Sequence, residues 1–415
     1  MPKAVCNLTL PICVLGLIAF SSLPSHAGSE RFSTLPQDPL ARINAIRKQA
    51  GMPSLNANNA LSAAAKNHAQ YLIFNPTEGH DQTPGNTGFS GQSVGDRAID
   101  AGYASRAVAE NISQGTDNHA HSIDELMTAI YHRFAFLDFS SNEVGLGSEQ
   151  QGPNRAFVYV MGNAAQNSLC QQPETFRSGR YYHQICADSA LKIAEDDWLA
   201  AKHAVARQAD DLVVWPAPNS RDVIPAFYEE TPDPLPDFGV SGQPISVQIN
   251  PTGELANQDV VIESLRLFKD DTPVEPLRRL DHETDPNGKF TPTEFAWFPL
   301  SRLDWNTRYT AELQYEVNGD ARVKTWHFQT RALPSPPLTI RGDQSLNVLS
   351  GQTYYLVFAP IKGQPTQDFR TEYDSRINLS LEAVDHDTLE VTLAGPLGAR
   401  ATIHAGPYSV ELSLN

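Results

Sequence analysis

The residue types able to do chemistry in this 415-residue chain concentrate between His68 and Arg133. Glu110 sits in a mild run, with Val108-Ala109 before it and Ile112 after it. Such a setting tends to bury a carboxylate, and burial without a partner is costly, so a partner is expected. His80 lies upstream in Gly79-His80-Asp81, and His132 lies downstream in Tyr131-His132-Arg133. Two imidazoles and one carboxylate are ligands for zinc or another divalent cation, with a fourth position open. They also make an acid/base set in which Glu110 is the candidate base, acting on a polarised water. A direct bond from an imidazolium to the Glu110 carboxylate satisfies the same groups without metal. Neither a His-Glu-x-x-His helix nor a Gly-x-Ser-x-Gly turn occurs, and no cofactor beyond a divalent cation is implied.

These residues need elements to position them. Apolar spacing predicts helices over Gln37 to Gln49, Ala60 to Ile73 and Val94 to Ala101. Ser122 with Glu125 reads as a capping box opening a fourth helix to Arg133. His68 falls on the apolar face of the second helix and is expected to pack rather than ligate. His119 and His121 precede the capping box and are expected to be solvated. Val144 to Gly147 and Phe157 to Met161 read as strands, giving an α+β arrangement. Further on, Glu195 to Arg207 reads as a helix, and Thr231-Pro232-Asp233-Pro234-Leu235-Pro236 as a stiff connector. Period-two segments then follow: Ile245 to Ile249, Val261 to Phe268, Phe295 to Phe298, Tyr309 to Val317 and Val323 to Phe328. They argue for a β-sandwich. After Pro334-Ser335-Pro336-Pro337 a second all-β segment runs to the end.

Composition narrows the classes. A formal net charge of −17 argues against nucleic acid or an anionic membrane as main partner. Lys3, the apolar run Leu8 to Phe20 and Ser25-His26-Ala27 resemble a signal peptide, and no apolar run is long enough for a comfortable membrane span. The processed chain is therefore expected to be secreted, periplasmic or extracellular, and not an integral membrane protein. Beyond that segment only Cys170 and Cys186 remain, read as one disulfide worth about 3 kcal/mol. The expected organisation is a signal peptide over 1–27, an α+β domain over 28–166 and a linker region with the disulfide over 167–240. An immunoglobulin-like sandwich follows over 241–333 and a C-terminal β-domain over 334–415.

Taken in order, the motifs of the first domain resemble the CAP superfamily, the SCP domain of cysteine-rich secretory proteins, antigen 5 and plant pathogenesis-related proteins. Leu55-Asn56-Ala57-Asn58 before an Ala-rich helix resembles the family's opening, and Gly79-His80 its first site histidine. Glu110-Asn111-Ile112 resembles its central motif, and His132-Arg133 before Glu143-Val144-Gly145-Leu146-Gly147 resembles the compact bacterial form. The resemblance covers roughly residues 36–165. It implies an α-β-α sandwich with a cleft built around His80, Glu110 and His132. It also implies a second acid one turn before the second histidine, where this chain has Ala129. Leu303, Asn306-Thr307, Tyr309 and Trp326 to Thr330 resemble bacterial immunoglobulin-like modules.

The leading functional reading is a secreted binding or interaction protein whose cleft takes a divalent cation or a small ligand. Its partner would be another protein, an envelope component or a lipid. The alternatives are a secreted metal-assisted, protease-like hydrolase using Glu110 as base, and a structural cell-envelope protein with an inactive CAP domain.

Overall fold

A computed structural model describes residues 28–75, 79–173, 177–366 and 369–415, so the expected signal peptide lies outside it. The chain forms two compact units, Ala27–Pro334 with Lys362–Gln364, and Ser335–Ile361 with Pro365–Asn415.

The first domain is built from α1 (Pro39–Gln49), β1 (Asn56–Ala57), α2 (Asn59–Phe74), α3 (Val94–Asp100), β2 (Ala109–Gln114), α4 (His119–Thr128), α5 (Ile130–Phe136), β3 (Glu143–Gln151) and β4 (Asn154–Gly162). Its sheet runs β1-β3-β4-β2. Side chains alternate across a strand, so each face buries its own set. Ala156, Val158 and Val160 pack with Leu61, Ala65, Ala69 and Ala98 of α2 and α3. Phe157, Tyr159 and Met161 pack on the other face with Ile43, Ile46, Ile123 and Phe136 of α1, α4 and α5. The result is the helix-sheet-helix layering that the sequence implies. Gly145 and Gly147 let α2 lie directly on β3. A Cβ at 145 would come 2.0 Å from the Leu61 carbonyl carbon, and one at 147 would come 2.3 Å from that of Ala65. Either would force the helix off the sheet.

Caps set the helix starts. Asp38 accepts from the Ala41 amide at 2.8 Å, and Ser93 with Asp96 closes a full capping box on α3. The expected box at Ser122 does not form. Asn118 caps the helix instead, accepting from the His121 amide at 3.0 Å, so α4 begins four residues earlier. Ser122 becomes an interior residue that accepts a hydrogen bond from the Tyr159 hydroxyl at 3.0 Å. The single helix expected to reach Arg133 is also broken, because Ala129 is extended with ψ 116° and α5 starts anew.

The described residues of 167–240, the segment read as linker, carry helices, strands and a core of their own. α6 (Ala164–Leu169) leads into the Cys170–Cys186 disulfide, then β5 (Tyr181–Tyr182), β6 (Ile193–Ala194) and α7 (Glu195–Ala206). Cys170, Cys186, Ile193 and Trp198 share a small core. β7 (Leu212–Trp215), β8 (Ala226–Phe227), β9 (Ser241–Gly242), β10 (Ile245–Ile249), β11 (Val260–Lys269), β12 (Thr272–Pro273), β13 (Leu277–Leu280), β14 (Glu294–Pro299), β15 (Arg308–Val317) and β16 (Asp320–Gln329) follow. Two four-stranded sheets, β13-β14-β10-β7 and β12-β11-β15-β16, make the sandwich. The sandwich therefore takes a strand from the segment read as linker. The β13-β14-β10-β7 sheet is covered on both faces. Leu212, Val214, Ile245, Val247, Phe295 and Trp297 face the second sheet, while Val213 and Trp215 join the core under α1 and α4. Ala296 and Phe298 of β14 pack with Ile130 and Phe134 of α5 and with Leu235, so the proline-rich connector is pinned in a core too.

The second unit contains β17 (Leu338–Ile340), β18 (Gln344–Val348), β19 (Thr353–Phe358), β20 (Phe369–Tyr373), β21 (Asn378–Asp385), β22 (Thr388–Ala394), β23 (Arg400–Ala405) and β24 (Tyr408–Leu414). They form the sheets β17-β19-β22-β21 and β18-β24-β23-β20 around a core that includes Leu356, Val391, Ile403 and Leu412. The architecture is thus an α+β domain followed by two β-rich domains.

Candidate functional site

Glu110 and Ile112 project from β2 toward α2 and α3, and Asn111 projects the other way. The Glu110 side chain is 1% exposed. Arg97, buried on α3, closes on it with one nitrogen, Nη2, 2.7 and 2.8 Å from the two carboxylate oxygens. The other nitrogen of Arg97 donates to the His80 carbonyl at 2.8 Å and so anchors the loop that carries His80. His80 then donates from Nδ1 to Glu110 Oε1 at 3.0 Å. A carboxylate only accepts, so the proton is on Nδ1 and the other ring nitrogen is left for whatever approaches. The His80 side chain is 49% exposed and is the open side of the cluster. His68 stands behind, fully buried, with Nε2 3.9 Å from Glu110 Oε1. Gln82 donates to its Nδ1 at 3.0 Å, so His68 is the Nε2-H tautomer, directed at the Gly79 carbonyl at 3.3 Å. Burial above all drives the His68 pKa down to about 4, so this imidazole is neutral, the packing residue the sequence suggests. Burial pushes the Glu110 carboxyl up, but the His80 hydrogen bond and the Arg97 charge outweigh it and hold the group below the usual glutamate range.

His132 does not join this cluster. The face opposite Glu110 belongs to Asn111, and Asn111 is what reaches α5, donating to the His132 carbonyl at 2.8 Å. The His132 ring turns to Glu230, with Nδ1 2.9 Å from Oε2. Glu230 also accepts from the Ile130 amide at 2.6 Å and the Tyr131 amide at 3.2 Å, so it caps α5 from outside the domain. This explains the break at Ala129. Here burial wins: the Glu230 carboxyl is pushed above the usual range against the pull of His132 and the two amides. The acid absent at Ala129 is thus supplied to His132 from 98 residues further on. Arg133, the neighbour of His132, is fully buried and donates to the Pro244 carbonyl at 2.8 Å, tying α5 to the sandwich.

The trio of His80, Glu110 and His132 is therefore split into two histidine–glutamate pairs on opposite sides of the sheet. The donor set does not fit a metal ion. Both Glu110 oxygens are taken by a guanidinium that a cation would have to displace. Among the described residues no three His, Cys, Asp or Glu side chains converge as a metal cage requires. His119 and His121 stay apart from Glu110 on α4, His119 half-buried and His121 buried. His119 meets the Tyr159 hydroxyl at 3.1 Å, and His121 lies 3.0 Å from Glu125. Sequence reasoning missed Arg97 and Glu230. An arginine between Val94 and Ala98, on a short helix whose other charged first-turn residue is the capping Asp96, was a signal for the first; nothing local marks the second.

Residues 40–163 match the model of the cysteine-rich secretory protein family, CAP. These residues are accordingly a CAP domain, and β-rich domains follow it. Among solved structures, an extracellular SCP-domain protein from Bacillus anthracis str. Ames is 17% identical with a TM-score of 0.26. The match covers 30% of this chain and 40% of that one, so the chain spans well under half the length of that relative. An outer surface protein of Borrelia burgdorferi is 18% identical with a TM-score of 0.27, over 30% of this chain and 87% of that one. No curated protein matches the sequence. No helix among the described residues is long and apolar enough to cross a membrane.

Proposed function

We propose that this is an exported binding protein that offers the exposed side of the His80–Glu110 pair to its partner. The observation that carries the reading is the state of Glu110. A carboxylate gripped by Arg97 and held below its usual pKa is a poor general base, because its proton affinity is spent on fixed partners. What the pair presents is an oriented imidazole on a rigid base, which suits recognition better than turnover. Export is supported by the apolar start of the sequence and by the disulfide between the only two cysteines beyond it. The test is retention of the full chain on isolated bacterial envelope, alongside a hydrolysis screen of peptides and esters. Retention is expected to fall in His80→Ala, with no turnover above background. Turnover that disappears in Glu110→Gln, with retention unchanged in His80→Ala, would overturn the reading in favour of a hydrolase.

A further inference from the structure

The turn after β7 and the end of β16 flank an open polar pocket of about 250 Å³, with Arg221 and Arg308 exposed at its rim. Asn219, Ser220, Arg221, Arg308, His327 and Gln329 supply its polar wall, and no carboxylate lines it. The wall is held by backbone bonds: the Asn219 amide donates to the His327 carbonyl at 2.7 Å, and the Gln329 amide to the Ser220 carbonyl at 2.9 Å. His327 fixes its Nδ1 against the Thr310 hydroxyl at 2.8 Å, and its Nε2 has no bond among the described residues. Asp222, next to Arg221, is directed elsewhere, accepting from the Thr34 amide at 2.9 Å and lying 4.0 Å from Arg331.

Two features ask for a ligand. In a chain of net charge −17, Arg221 and Arg308 are arginines without a counter-ion among the described residues, and both flank the same hollow. Ser220 is only 5% exposed, yet its hydroxyl has no hydrogen-bond partner. A buried hydroxyl left unpaired costs about 1–3 kcal/mol, which an incoming oxygen atom would recover.

We propose that this pocket binds an oxyanion of the sulfate or phosphate type. The guanidinium forks of Arg221 and Arg308 would donate to its oxygens, and Ser220 would donate the buried hydroxyl bond. The hollow has room beyond one such group, so the group can arrive free or as an ester on a sugar.

The test is calorimetry on the full chain with sodium sulfate and sodium phosphate, against sodium chloride at matched ionic strength. One of the two anions is expected to bind. Arg308→Gln is expected to weaken it about tenfold and Ser220→Ala about threefold. Arg322→Gln, which removes an exposed arginine further along β16, should leave binding unchanged. Unaltered melting in chloride establishes that each variant is folded. Absence of binding by both anions overturns the proposal, as does an equal loss in Arg322→Gln, which would reduce the effect to a general field. Glucose 6-sulfate and glucose 6-phosphate then separate the sources. Tighter binding than the inorganic anion supports an ester-borne group, and equal binding supports a free one.

Discussion

Glu110 and Glu230 are both buried carboxylates paired with a histidine, and their environments push them in opposite directions. Glu110 has an arginine on both oxygens, which holds its charged form inside the domain. Glu230 has two amides and one imidazole, which do not offset its burial. A histidine partner alone therefore does not set the behaviour of a buried acid here; a guanidinium hydrogen-bonded to both oxygens does, whereas Arg133 acts on Glu230 through its charge. The first pair is fastened and leaves an exposed imidazole. The second serves the architecture, ending one helix, starting the next and joining residues 98 apart.

The largest effect that would break this contrast is expected from Arg97→Gln. It strands the Glu110 charge and should cost about 3–5 kcal/mol in urea unfolding. A loss below about 1 kcal/mol, the scale of a surface ion pair, would mean that the arginine is not what holds the acid. Glu230→Ala comes next. It removes the cap of α5 and the partner of His132, and should cost about 2 kcal/mol by the same measurement. The third test is smaller and sharper. Glu110 sits below its usual pKa, so its contribution is present above the ordinary value of 4.5 and is lost as pH falls through the folded value. Glu230 sits above, so its contribution is present below 4.5 and is lost as pH rises through the folded value. Melting temperature followed from about pH 3 to 8 should thus lose part of its acid-side fall in Glu110→Gln. In Glu230→Gln it should instead lose part of its fall on the rising side. Two profiles altered in the same sense would refute the contrast. His121 is raised to about 9: burial lowers it, but the hydrogen bond and charge of Glu125, helped by Glu30 and Asp117, outweigh that. Its contribution is full below 6.5, fades toward 9 in both variants, and so cancels between them.

The first domain was largely legible because its signals are local. The apolar period of α1 and α2 and the alternation of β4 appear within one window. The grouping of His80 with Glu110 was also legible from the resemblance. The placing of His132 failed on strand parity: Glu110 and Asn111 are neighbours and so face opposite layers, and the layer carrying α5 belongs to Asn111. Glu230 was out of reach because a cap supplied across 100 residues leaves no trace at Ile130. Leu212-Val213-Val214-Trp215 was passed over as linker for the opposite reason. A strand buried on both faces does not alternate, so it lacks the period-two mark sought elsewhere in the sandwich.

The sheet that carries those four residues leaves no seam at which the first unit can be cut. A fragment stopped at 166 would bare Ile130 and Phe134 to water, and one begun at 241 would give β10 an unpaired flank where β7 belongs. Both are recipes for sticky fragments. Dissection of this protein should therefore keep everything through Pro334 together with Lys362–Gln364, which belong to the same unit and whose Gly363 carbonyl accepts from the Val240 amide at 3.0 Å.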